Sequence, residues 1–122
     1  DYNHDGRIDL AIGQNNAQTK LMLNTLGMAG LRVRLKGRGQ NPAAVGARVS
    51  MRIPGGPAIT KEVQSGAGYW GVNSSVLVLP SQHHPCELLI TWPSGGRSSH
   101  KIPEGTREAV LHEDGKAILS QE

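Results

Sequence analysis

From Leu31 onward apolar and polar residues alternate. Leu31, Val33 and Leu35 share one parity while Arg32, Arg34 and Lys36 take the other, the period of two of a half-buried strand. Val49, Met51 and Ile53 repeat it against Arg48, Ser50 and Arg52. Further strands are expected at 59–65, 75–79, 87–92, 98–102, 108–112 and 117–119. Turn chemistry separates them: Pro54-Gly55-Gly56-Pro57, Pro93-Ser94-Gly95-Gly96 and Asp114-Gly115 are hairpin signals. Short strands at about 8 to 12 residue spacing predict an all-β chain, an antiparallel β-sandwich or barrel with no helix longer than two turns. A helix over 17–26, where Ala17, Leu21 and Met22 can share a face, ranks below a hairpin strand there.

The first 24 residues follow another rule. Asp1, Asn3, Asp5 and Asp9 stand at odd positions around Gly6, and Leu10, Ala11 and Ile12 follow. Oxygen ligands at loop positions one, three, five and nine, with the backbone carbonyl of Arg7, can wrap a hard cation such as Ca²⁺, and a glycine at position six permits the sharp turn. An EF-hand needs a bidentate Glu at position twelve, where Ile12 stands, so that reading fails. The segment Asp1-Tyr2-Asn3-His4-Asp5-Gly6-Arg7-Ile8-Asp9-Leu10, then Lys20-Leu21-Met22-Leu23-Asn24, resembles the calcium-loop hairpin of an FG-GAP repeat, the blade unit of integrin-type β-propellers.

The remainder resembles the ASPIC/UnbV domain, a module found after FG-GAP repeats near the C-terminus of large secreted proteins. The likeness rests on 30–37, on Asn41 with 44–49, on Glu62-Val63 with Gly66-Ala67-Gly68-Tyr69, and on Ile90-Thr91-Trp92-Pro93-Ser94-Gly95. After Tyr69 the chain departs from the family pattern, with Gly71, Val72 and Asn73 in place. The division expected is therefore a partial repeat over 1–26 and an ASPIC/UnbV-like β-domain over 30–122, joined at 27–30. Because the chain opens inside a motif, it reads as a piece of a longer protein. The resemblance implies an extracellular or periplasmic setting, the upstream propeller as a partner, and Ca²⁺ bound in the intact parent. Ca²⁺ is expected to bind weakly or not at all here, since a frayed terminus must be ordered by the ion itself at about 1 to 2 kcal/mol per residue fixed.

Composition narrows the chemistry. The formal charge of +3 arises from 13 cations and 10 anions spread along 122 residues, so charge alone names no partner. Phe is absent and aromatics are 3%, which leaves the core to Leu, Val, Ile and Ala and argues against nucleic-acid binding by base stacking. No apolar run approaches the roughly 18 residues of a membrane helix, so membrane insertion is not expected. One cysteine, Cys86, excludes an internal disulfide.

Three constellations compete with blander accounts. Gly66-Ala67-Gly68-Tyr69-Trp70-Gly71 fits the dinucleotide expression G-x-G-x-x-G, but a strand and not a helix follows, so it reads as a glycine-rich bend carrying two aromatics. His83, His84 and Cys86 offer zinc ligands or a nucleophile, yet adjacent histidines in a strand face opposite ways and no second ligand pair stands at finger spacing; a solvated loop with a half-buried Cys86 is expected. The cations Arg32, Arg34, Lys36 and Arg38 on one strand, with Arg48 and Arg52 on another, form one basic face if the strands are neighbours, with Glu62 as a cross-strand partner.

The expectation is a non-catalytic extracellular binding or assembly module. Acidic carbohydrate, or a protein, would be held by Arg32, Arg34, Lys36, Arg48 and Arg52, and Tyr69 and Trp70 would supply a flat stacking platform; Trp92 belongs to the core. The alternatives are a carbohydrate-active or metal-dependent enzyme domain using His83, His84 and Cys86, and a structural cap for the propeller, which an apolar patch at Leu21, Leu23 and Leu26 would favour.

Overall fold

The computed structural model describes residues 1–80 and 85–121; the expectations at His83 and His84 lie outside them. Ten strands and no helix form among the described residues, so no helix is long and apolar enough to cross a membrane. β1 (Leu10–Gln14) and β2 (Ala17–Met22) make a two-stranded hairpin turned at Asn15 and Asn16, the latter with φ of 56°. The other strands are β3 (Leu31–Lys36), β4 (Arg48–Arg52), β5 (Ile59–Glu62), β6 (Val76–Leu79), β7 (Cys86–Thr91), β8 (Arg97–Ile102), β9 (Glu108–His112) and β10 (Ala117–Ser120). They form two four-stranded sheets, β10-β9-β3-β6 and β5-β4-β7-β8, arranged as a sandwich.

Parity explains the layering. Leu31, Val33 and Leu35 of β3 face the same core as Val49 and Met51 of β4, Leu88 and Ile90 of β7, Leu77 and Leu79 of β6, and Ala109 and Leu111 of β9. Trp92 closes one end of this core, and its indole N–H donates to Ser98 Oγ at 3.0 Å. Lys61 lies on the inward parity of β5 and satisfies its ammonium by donating to the Val78 carbonyl at 2.8 Å, a tie between edge strands of the two sheets. The segment at Asn41 is stitched twice: Asn41 Nδ2 donates to the Val45 carbonyl and Val45 N–H to Asn41 Oδ1, both at 2.9 Å. Those bonds, with Gly46 N–H on the Val63 carbonyl and Val63 N–H on Ala47, seat the fully buried Ala44 and Ala47 beside the core.

One ladder departs from the antiparallel expectation. β3 and β9 run parallel, with Arg32 opposite Glu108 and Lys36 opposite His112. A parallel pair needs a crossover rather than a tight turn, and here the whole of the second sheet intervenes in sequence between the two strands.

β3 is hydrogen-bonded on both edges and supplies three core residues, so its inward positions are the most sensitive. Leu35→Ala is expected to lower stability by about 2 to 5 kcal/mol, whereas the neighbouring exposed Lys36→Ala should stay within about 0.5 kcal/mol. Urea unfolding of the two variants measures the difference.

Candidate functional site

The acidic loop is packed against the start of β3. Asp1 and Arg32 lie against each other with side chains only 6% and 8% exposed, Asp1 Oδ2 standing 3.2 Å from Arg32 Nε. The contact is an ion pair without an aligned hydrogen bond, and neither atom has another polar partner. Beside it the backbones of Gly6 and Gly30 meet: Gly30 N–H donates to the Gly6 carbonyl at 2.7 Å. Gly6 has φ of +81°, and a Cβ there would lie 2.8 Å from the Gly30 oxygen; a Cβ on Gly30 would run into the Leu79 carbonyl. Gly6 must be bare for the loop to reach Gly30, and Gly30 must be bare to lie beside Leu79 of β6.

The outward parity of Arg32 is thus correct, but its exposure is not. The loop covers the outer face of β3 at its start, leaving Arg34 half-buried with Glu108 at 3.7 Å, and Lys36 and Arg38 exposed. Arg48 and Arg52 lie on β4, in the other sheet, so the single basic face does not form; its cations divide between opposite sides of the sandwich.

The loop carboxylates are engaged individually. Asp5 accepts the Arg7 N–H at 2.8 Å, and its other oxygen takes Asn3 Nδ2 and Arg7 Nη1, both at 2.9 Å. Asp9 accepts the amides of Asn24 at 2.8 Å and Tyr2 at 2.6 Å. Those backbone donors hold both carboxyls below the ordinary carboxylate range, the Arg7 amide leading for Asp5 and the Asn24 amide for Asp9. Hard oxygen donors suit Ca²⁺ in type, but among the described residues no three His, Cys, Asp or Glu side chains gather around one point. Of the set Asp1, Asn3, Asp5, Arg7 and Asp9, Asp1 faces a guanidinium, Asp9 faces amides, and Asn3 and Arg7 both donate to Asp5.

The outer face of β5-β4-β7-β8 is open. Register places Glu62, Arg48, Thr91 and Arg97 in one row, Thr60, Ser50, Leu89 and Ser99 in the next, and Arg52, Glu87 and Lys101 in a third. Ser50 and Thr60 hydroxyls bond at 2.7 Å, and Ser99 Oγ donates to Glu87 at 2.5 Å. Arg48 meets Glu62 at 3.4 Å with its side chain 68% exposed, an ion pair of about 0 to 1 kcal/mol that competes weakly with any other anion. Arg97 and Lys101 escaped the sequence reading because the inward positions of β8 include Ser98 and His100, which blur the alternation. The turn at 93–96 was the available signal, since counting back from it pairs Thr91 with Arg97 and Glu87 with Lys101.

Two other expectations change. Tyr69 and Trp70 are 94% and 90% exposed but stand edge-to-face, with centroids 5.9 Å apart and planes at 72°, so they form no single flat platform. Trp70 also has φ of 56°, a left-handed conformation unusual for its type. Cys86 opens β7 inside the core and is buried rather than half-solvated; burial pushes its thiol above the ordinary value, the reverse of nucleophile activation.

The ASPIC and UnbV family pattern matches residues 37–118. The chain belongs to the ASPIC and UnbV family. No curated protein and no solved structure was found to match it. The matched stretch contains the whole β5-β4-β7-β8 sheet and starts after β3, so neither the Gly6–Gly30 contact nor Arg32 falls within it.

Because the folded-state pKa values of Asp5 and Asp9 lie below the unfolded ones, their contribution is present above the unfolded carboxylate pKa and lost as pH falls through the folded values. Acid is therefore expected to release the loop before the sandwich, read as faster amide exchange at Asn24 and Gly30 than at Val33. Arg32→Ala should release it at neutral pH, costing about 1 to 3 kcal/mol, less than an ordinary broken buried pair because Asp1 can swing into water.

Proposed function

We propose that the chain is a non-catalytic extracellular binding or assembly module of a longer, propeller-containing protein, and that its ligand is acidic carbohydrate. The observation that carries this reading is the uncovered outer face of β5-β4-β7-β8, where Arg48, Arg52, Arg97 and Lys101 outnumber Glu62 and Glu87. Arginine forks and a lysine on a solvated sheet suit sulfate and carboxylate groups. Cys86, the residue an enzymatic reading needs as ligand or nucleophile, is buried with a raised pKa, which favours binding over catalysis.

Residues 1–26 are read as the end of an FG-GAP repeat. In the intact repeat Asp1, Asn3, Asp5, the Arg7 carbonyl and Asp9 are the donors for Ca²⁺. A second reading, that the module also caps the propeller, is favoured by the exposure of Leu21 on a two-stranded hairpin that is marginal alone and of Leu23 and Leu26 just after it, the last 97% exposed.

The chain is expected to be retained on a heparin matrix at low salt and to elute as salt rises through the physiological range, since exposed charges are screened over about 8 to 10 Å there. Passage through the column at low salt removes the carbohydrate reading, and loss of retention on Cys86→Ala alone removes the assignment to the sheet face. Calorimetry tests the loop: Ca²⁺ should bind a chain that includes the preceding repeat and bind this one weakly or not at all. Micromolar affinity in the 122-residue chain, or none in the longer one, contradicts the assignment.

A further inference from the structure

We infer that the outer face of β5-β4-β7-β8 is a two-clamp site for a sulfated or uronic-acid sugar chain lying along the strands, a reading that rests on the acidic-carbohydrate function proposed above. The geometry follows from register. Arg48 and Arg97 flank Thr91 in the first row, while Arg52 and Lys101 flank Glu87 in the third. Within each row the two cations sit on strands β4 and β8, two strand spacings apart, about 10 Å. The rows are four residues apart, about 13 Å along the strands.

Four cations at the corners of such a rectangle cannot converge on one small anion. Each row also contains an acid: Glu62 beside Arg48, and Glu87 between Arg52 and Lys101. A single sulfate therefore meets one or two partly neutralised cations, whereas a chain carrying several anionic groups engages both rows at once and gains from the linkage between them.

The row between the clamps supports a sugar rather than another polyanion. It presents the half-buried Leu89 among the hydroxyls of Ser50, Thr60 and Ser99, matching the C–H and O–H groups of a pyranose ring. No Phe, Tyr or Trp stands on these four strands and the imidazole of His100 lies on the inward parity opposite Leu88, so the stacking that single-stranded nucleic acid uses has no platform on this face. Two shallow grooves lie on this sheet, about 430 Å³ at Arg48, Leu89 and Arg97, and about 400 Å³ at Arg52, Glu87 and Lys101. Grooves of about 470 and 380 Å³ also lie on the side of the opposite sheet, but there Arg32 faces Asp1 with its side chain only 8% exposed and Arg34 faces Glu108.

The test uses size-defined heparin disaccharide, tetrasaccharide and octasaccharide, titrated into the 122-residue chain by calorimetry at two salt concentrations. Variants are Arg48→Ser/Arg97→Ser, Arg52→Ser/Lys101→Ser and, as a control on the other sheet, Arg34→Ser/Lys36→Ser, each checked for an unchanged urea midpoint. Affinity should rise about tenfold or more from disaccharide to octasaccharide. Either clamp variant should bring the octasaccharide back to disaccharide strength, and the control should bind like wild type. Affinity independent of length, loss in the control variant alone, or tighter binding of a single-stranded oligonucleotide than of the octasaccharide overturns the two-clamp site. If no sulfated saccharide binds at all, the carbohydrate function fails together with it; if length-dependent binding survives both clamp variants, only the assignment to this face fails.

Discussion

β3 is the strand on which the rest depends. Its inward residues Leu31, Val33 and Leu35 lie in the core, its edges pair with β6 and β9, and at Arg32 its outward side is also closed, by the loop carrying Asp1. A guanidinium enclosed on that face needs a charge partner, since desolvating it alone costs several kcal/mol. Asp1 supplies the partner because the bare backbone of Gly6 lets its carbonyl accept the Gly30 N–H. Covalent chain, hydrogen bond and ion pair thus tie the hairpin end of the molecule to the sandwich at one place.

That tie determines which surface stays open. The loop and the Arg34–Glu108 pair occupy part of the outer side of β10-β9-β3-β6, so Arg32 and Arg34 are engaged internally and Lys36 stays exposed. On the other sheet the only ion pair among the described residues is Arg48–Glu62, exposed and loosely spaced at 3.4 Å. Equal parity rules produced both faces; packing of a distant segment made them unequal.

The sequence was legible where the governing interactions are local. Period-two alternation located β3, β4 and β7 to within about a residue, and Pro-Gly and Asp-Gly turns located the hairpins β4–β5, β7–β8 and β9–β10. It was not legible where partners come from far along the chain. The parallel pairing of β3 with β9 joins residues more than seventy positions apart, and alternation carries no label for which strands share a sheet. Arg32 illustrates the cost: parity correctly pointed it away from Leu31 and Val33, but nothing in residues 31–36 records that Asp1 lies above it. Arg97 and Lys101 were missed for the opposite reason, because Ser98 and His100 occupy inward positions where an apolar pattern was sought.

A face of exposed cations has an inherent limit as a recognition device. Each solvated contact is worth about 0 to 1 kcal/mol and fades beyond about 8 to 10 Å in physiological salt. Specific binding must then come from repetition or from geometry. The first requires a ligand with charges at recurring intervals, which excludes most small metabolites; the second requires that the cations keep their spacing. Here the cations sit on β4 and β8, and their spacing is fixed by the ladder hydrogen bonds that join both strands to β7 and by Val49, Met51, Leu88 and Ile90 packed on the inner side of β4 and β7. Core packing on the inner side of β4 and β7 therefore bears on the distances between the charges on the outer side, so a cavity made by truncating Met51 or Leu88 reaches the basic face through the backbone even though neither residue touches solvent.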